Sequence, residues 1–267
     1  MVRYPAVAGR FYPSQPQALL RDLRSYTETS GERMPALGCV VPHAGYMYSG
    51  HVAGAVFARL ELPRRFVILC PNHTGMGTPL SIMSQGSWLT PLGEAVIDAE
   101  LAVALKEQFD FLTEDTLAHR HEHALEVQLP FLQTLAPDFR FVPIAVGVGR
   151  FEVLQALGGA IAEVVGRQKQ PALIIASSDM NHYEPDAITR VKDRKAIDKI
   201  LALDAAGLYQ VVTREPVSMC GYGPTIAMIT AARQLGARSA QLIKYATSGD
   251  TSGDRDMVVG YAGVAVA

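Results

Sequence analysis

Six short runs of nearly unbroken apolar residues set the rhythm of the chain. They are ALGCVVP (36–42), RFVILCP (65–71), FRFVPIAVG (139–147), PALIIASS (171–178), AQLIKYATS (240–248) and DMVVGYAGVAVA (256–267). A strand with one wet face alternates apolar and polar residues, whereas a strand covered on both faces does not. The six runs therefore predict buried strands. Stretches of helical period separate them, at 49–60, 98–108, 123–136, 151–168, 186–203 and 223–237. Pro130 predicts a kink or break in the third of these. SWLTPLGEAVID (87–98) reads as a strand, a turn and a second strand. SGDTSGD (248–254) reads as a polar loop between the last two strands, not as an architectural repeat. Strands alternating with helices predict an α/β fold, a three-layer αβα sandwich around a mostly parallel or mixed sheet.

The 267 residues carry no charge run or Ser/Pro linker, so a single domain over 1–267 is expected. Hydrophobic residues make up 49% and charged residues 19%, enough for a large core. The formal net charge of −2 offers no basic face, and nucleic acid is not an expected partner. Cys39, Cys70 and Cys220 are scattered and fit a reducing compartment better than a disulfide framework. No signal-peptide pattern opens the sequence and no apolar run reaches membrane-spanning length, so the expectation is a cytoplasmic protein with no membrane partner.

In open α/β sheets ligands bind beyond the carboxyl ends of the strands. His43 follows the first buried run, Asn72 and His73 the second, and Asp179 and His182 the PALIIASS run. Neutral imidazole is a common metal ligand, so His43 and His73 are ligand candidates. Alternatively they are unrelated turn histidines bonded to backbone carbonyls. Cys220 precedes a predicted helix, whose free N–H groups favour the metal-binding thiolate. Its alternative is a small buried hydrophobe. Asp179 beside His182 suggests an acid/base pair, against a turn cap next to an exposed histidine.

In HRHEHALEV, residues two apart on a helix do not share a face, so His119 and His121 are expected to be exposed. Glu122, His123 and Glu126 are expected to point toward a pocket, Glu122 and Glu126 sharing a face as an i, i+4 pair. Tyr46 and Tyr48 either line the cleft or pack with their hydroxyls in water. Ser177 or Ser178 with His182 and Asp179 supplies the residue types of a hydrolase, but no nucleophile elbow surrounds them. No Walker A or dinucleotide fingerprint follows a strand.

Several ordered stretches together resemble the Memo family, whose prokaryotic members are called AmmeMemoRadiSam system protein B. They are RYPAVAGRFYP (3–13), VVPHAGYMYSG (40–50), CPNHTG (70–75), EHALEVQLPFLQ (122–133), SSDMNHY (177–183), MCGYGP (219–224) and YATSGDTSGD (245–254). The resemblance implies a fold like that of the class III extradiol dioxygenases, which hold non-haem iron with two histidines and a carboxylate. Carried over, it implies metal ligands His43, His73 and Cys220, with His182 as acid/base beside Asp179. Tyr48, Asn72, Glu122, His123 and Glu126 would form the pocket. Cysteine in place of the carboxylate is softer and favours copper, zinc or thiolate-bound iron.

The resemblance thus implies an iron or copper oxidoreductase, with zinc as a further candidate metal. It also implies two alternatives. One is a non-catalytic module binding a phosphotyrosine peptide, an anion or a small aromatic ligand. The other is a subunit working with a radical-SAM protein and an AMMECR-type protein.

Overall fold

The computed structural model of the chain describes residues 1–28 and 31–267. The first third holds β1 (Val2–Arg3), α1 (Pro16–Thr27), β2 (Gly38–Val41), α2 (Tyr46–Arg59), β3 (Arg65–Pro71), β4 (Leu80–Ile82), β5 (Ser87–Thr90) and β6 (Gly93–Ile97). The middle holds α3 (Ala99–Gln108), β7 (Thr113–Glu114), α4 (Leu117–Arg120), a 3-10 turn (Glu126–Gln128), α5 (Leu129–Leu135), β8 (Arg140–Val146) and α6 (Phe151–Gly166). The remainder holds β9 (Ala172–Ser177), β10 (His182–Glu184), α7 (Asp186–Leu201), α8 (Ala205–Arg214), α9 (Tyr222–Gln234), β11 (Ala240–Thr247), α10 (Ser248–Ser252) and β12 (Val258–Val266).

The sheet is mixed. Its spine runs β6-β8-β3-β9-β2, all parallel, and antiparallel β12 closes on β2. Successive side chains on a strand point to opposite faces. Val40, Val67, Leu69, Val142, Ile144 and Ile174 accordingly join one buried cluster, with residues of α3, α6, α7, α8 and α9. Cys39, Val41, Phe66, Ile68, Phe141 and Ile175 join the other, with residues of α1, α2 and α5. Two helical layers flank one sheet, as the apolar runs predict. Among the described residues no helix is long and apolar enough to cross a membrane.

Three local expectations change. The 123–136 stretch is not one helix: a 3-10 turn leads into α5, and Pro130 sits in the first turn of α5 instead of kinking it. That position suits proline, whose missing N–H has no intrahelical partner there. SGDTSGD is not all loop: Thr247 and Asp250 form a reciprocal capping box that starts α10. His119 is fully buried, its ring edge-on to Trp88, whereas His121 is exposed as expected. A short helix followed by a turn, in place of a long helix, breaks the periodicity on which the expectation for His119 rested.

Candidate metal centre

Strands β3, β9 and β2 are parallel neighbours, so their carboxyl ends emerge side by side. β2 hands the chain to Pro42 and His43, β3 to Asn72 and His73, and β9 to Ser178 and Asp179. Because β12 runs antiparallel to β2, its first residues reach the same edge. A cleft of about 650 Å³ opens there, lined by His43, His73, His123, Asp179, His182 and Cys220, with Phe11, Tyr183, Ser218 and Val259 on its walls.

Three imidazoles converge at this edge. One ligand atom each from His43, His73 and His123 lies within 4.8 Å of the others. The His73 and His123 rings stack at 4.8 Å between centroids, and His43 meets His73 edge-on at 5.1 Å. Cys220 Sγ lies 3.2 Å from His43 Nε2. Metal–imidazole bonds of about 2.1 Å put two nitrogens of a tetrahedral site roughly 3.4 Å apart, so the three rings would need to draw together to share one ion. The group could hold a metal ion.

The hydrogen bonds behind the rings decide which nitrogens are free. Ser177 Oγ donates to the Ala124 carbonyl at 2.6 Å and accepts from Gln128 Nε2 at 2.9 Å. Its hydroxyl proton is used, so the 2.9 Å contact from His43 Nδ1 is an N–H donating to the remaining lone pair. His73 Nδ1–H donates to Glu122 Oε1 at 2.9 Å while its backbone N–H donates to Oε2 at 2.6 Å. In the neutral form each ring therefore carries its proton on Nδ1 and leaves Nε2 as the lone pair that a metal ligand requires.

Burial favours the neutral form of two of the three rings. Burial pushes His43 down to about 3, with His73 adding to the effect. Burial and His43 push His123 down to about 4. Burial would also lower His73, but the Glu122 carboxylate outweighs it and raises the ring above its usual value. Burial raises Asp179 despite the His43 N–H donating to its Oδ1 at 2.7 Å. Burial, reinforced by Asp179, pushes the Cys220 thiol up. The helix-start argument for a thiolate is thus overridden in the metal-free protein, even though α9 begins two residues later.

The other sequence candidates are distributed unevenly. His123, expected only as a pocket wall, is part of the imidazole group itself. Glu122 is fully buried behind His73 and accepts from the Ala124 N–H at 2.9 Å. Glu126 does not line the cleft. It is buried beneath the N-terminal segment, accepting from Arg3, the Ala6 and Val7 N–H groups and the Tyr12 hydroxyl. The i, i+4 argument fails because the chain at Glu122 is not helical.

Asn72 folds its own loop, donating to the Met76 carbonyl and accepting from Thr74 and Gly75. Tyr48 packs with Val52, Ala246 and Tyr261 outside the cleft lining. Tyr46 is buried and donates to the Val127 carbonyl at 2.6 Å. Asp179 is bonded to the His43 backbone, and His182 is held instead by Ser218. Ser177 and Ser178 are fully buried, their hydroxyls donating to the Ala124 and Asp179 carbonyls, so neither presents a nucleophile to the cleft.

Phe11 and Ser218 escaped the strand-end census because neither follows a strand of the central sheet. Phe11 packs on the His123 ring at 4.7 Å. The only signal for either was position, Phe11 within GRFYP and Ser218 two residues before Cys220.

Comparison with known proteins agrees with the resemblance. The family model described as Memo-like protein matches residues 3–265. A MEMO1 family protein of Methanopyrus kandleri is 44% identical over 278 residues, covering 99% of this chain and 98% of its own. One from Methanosarcina barkeri is 45% identical over 267 residues, covering 99% of this chain and 100% of its own. Among solved structures, an uncharacterized protein from Escherichia coli aligns with a TM-score of 0.56 at 12% identity. That alignment covers 85% of this chain and 98% of the other, and at such low identity it speaks for the fold alone. With the family model and these relatives each spanning almost its whole length, the chain belongs to the Memo family.

Proposed function

We propose that the cleft is a mononuclear metal centre and that the protein is a metal-dependent oxidoreductase using iron or copper. His43 and His73 are its ligands through Nε2, His123 completes the imidazole group, and Cys220 contributes the thiolate. The observation that carries this reading is the convergence of three imidazole nitrogens within 4.8 Å, with the Nδ1 atoms of His43 and His73 tied back by Ser177 and Glu122. Imidazole with thiolate suits iron, copper and zinc better than magnesium or calcium.

A bound iron or copper ion supplies one-electron exchange and a Lewis-acid centre to a substrate in the cleft. The chain supplies the rest. His182 Nδ1–H donates to the Ser218 carbonyl at 2.9 Å, so its Nε2 lone pair is free to take a proton from a substrate hydroxyl. Phe11, Val259 and Tyr183 give the cleft apolar walls that bind an apolar or aromatic part of the substrate and exclude water from it.

Elemental analysis of freshly purified protein tests this. Wild type is expected to carry close to one iron or copper per chain, and His73→Ala at least tenfold less. Cys220→Ser is expected to lose copper preferentially, since thiolate is the soft ligand. Equal, negligible metal in all three proteins would remove the basis for the proposal.

A further inference from the structure

Asn181 sits between Asp179 and His182 and does not line the cleft. It is 1% exposed, yet every polar group it carries is engaged. Its backbone N–H donates to Asp193 Oδ1 at 2.8 Å, and its carbonyl accepts from the Gly260 N–H at 2.9 Å. Its side-chain Oδ1 accepts from the Ser218 N–H at 3.1 Å and the Ser218 hydroxyl at 3.2 Å. Its Nδ2 donates to Glu184 Oε2 at 2.6 Å. A backbone N–H only donates and a carboxylate only accepts, so the amide has one orientation.

Ser218 in turn grips His182 twice. The His182 backbone N–H donates to Ser218 Oγ at 2.8 Å, and Nδ1–H donates to the Ser218 carbonyl at 2.9 Å. The next residue, Tyr183, has φ 57°, in the left-handed region. That conformation costs a non-glycine residue about 1–3 kcal/mol and persists only where its surroundings impose it. On its far side Glu184 is anchored in turn. Lys192 binds both Glu184 oxygens, at 2.6 and 2.7 Å, and donates to the Pro216 carbonyl at 2.7 Å. Among the described residues, Asn181 is the side chain other than His182 itself that joins this anchored turn to Ser218.

We propose that Asn181 is a positioning residue that fixes His182 in its Nδ1–H tautomer, by holding Ser218 where its carbonyl must accept that proton. His182 Nε2 is then permanently the proton-accepting atom. When a substrate hydroxyl transfers its proton there, the electron pair stays on the substrate oxygen, and Nδ1–H keeps its bond to Ser218. This deepens the reading of His182 as the proton-moving group and does not depend on which metal the cleft holds.

The test is nitrogen NMR of the full chain labelled with ¹⁵N-histidine, after chelation to remove paramagnetic ions. His182→Gln assigns the signal. Wild-type His182 is expected to show one protonated nitrogen, Nδ1, and one unprotonated nitrogen, Nε2, well separated. In Asn181→Ala the two resonances move toward each other, marking exchange between tautomers, while iron or copper content as purified stays at the wild-type level. Ser218→Ala, which keeps the carbonyl but loses the hydroxyl, shows the same movement to a smaller extent and serves if Asn181→Ala does not fold.

A wild-type His182 protonated on Nε2, or variants with the wild-type pattern, would overturn the proposal. So would a loss of metal in Asn181→Ala alongside the tautomer change, because that would mark general collapse of the site. A wild type free of metal but with the expected tautomers would sink the metal centre and leave Asn181 in its role.

Discussion

A carboxylate with no exposure ordinarily resists ionisation, because burial penalises its charged form. Glu122 shows the opposite. Burial would raise it, but the bond from His73, the nearby charge of that ring and the Ala124 N–H draw its carboxyl down to about 2. The folded value lies below the ordinary carboxylate value, so the group stabilises the fold above about pH 4.5, and that contribution disappears as pH falls toward 2. Glutamine offers one acceptor oxygen where the carboxylate offers two. Metal-free Glu122→Gln is therefore expected to be less stable than wild type at pH 6, with the gap narrowing between pH 4.5 and 2. Urea midpoints across that range measure it, and a pH-independent gap would contradict the assignment. The same variant is expected to bind metal about 10–100-fold more weakly, as removal of partners behind metal-bound histidines does.

Between residue and fold stands the contact of α1 with α2. Gly50 and Gly54 lie one turn apart on α2, facing Tyr26 of α1. A Cβ on Gly50 would come within 2.7 Å of the Tyr26 ring, and one on Gly54 would overlap the Tyr26 carbonyl oxygen, a backbone atom that cannot swing away. Gly54→Ala is expected to destabilise by about 1–3 kcal/mol despite alanine's better helix propensity, because overpacking outweighs it. Gly50→Ala meets only a movable ring and should cost less; chemical denaturation of both variants reads the difference.

Elements of this kind were unequally legible in the sequence. Five of the six apolar runs announced themselves as buried strands because both their faces are covered. The sixth, β11, pairs among the described residues only with β12 and leaves Gln241 and Lys244 exposed, so it is a half-wet edge and not the buried strand its apolar residues suggest. β4, β7 and β10 are two or three residues long, too short for any period to register. Strand-end position identified His43, His73 and the Asp179–His182 loop. It could not reveal that His123, reached through an irregular turn, joins the same group, or that Ser218 and not Asp179 orients His182. Those facts depend on contacts between segments far apart in sequence.

At the scale of the whole molecule, the N-terminal segment is tied to the centre by a buried charge. Arg3 and Glu126 are an ion pair 123 residues apart, with side chains 5% and 1% exposed, and the Arg3 guanidinium also lies 4.3 Å from the centroid of the Trp88 ring. The Ala6 N–H at 2.8 Å, the Val7 N–H at 3.1 Å and the Tyr12 hydroxyl at 2.6 Å converge on the same Glu126 carboxylate. The segment so clamped carries Phe11 into the cleft and supplies the Phe11 carbonyl that accepts from Tyr46 at the start of α2. Removing one partner of a buried pair costs about 3–5 kcal/mol, because the other charge is left uncompensated. Arg3→Met and Glu126→Leu are each expected to fall in that range. In a simple pair the double variant would recover most of the loss, since two apolar groups replace two charges. Here it should not. Loss of Glu126 strands three further donors whether or not Arg3 is present, and unpaired buried donors carry their own cost. The double variant is therefore expected to be no more stable than Glu126→Leu alone, as judged by urea unfolding. Recovery to near wild type would show that Glu126 serves Arg3 only, and that the segment bearing Phe11 is held by other means.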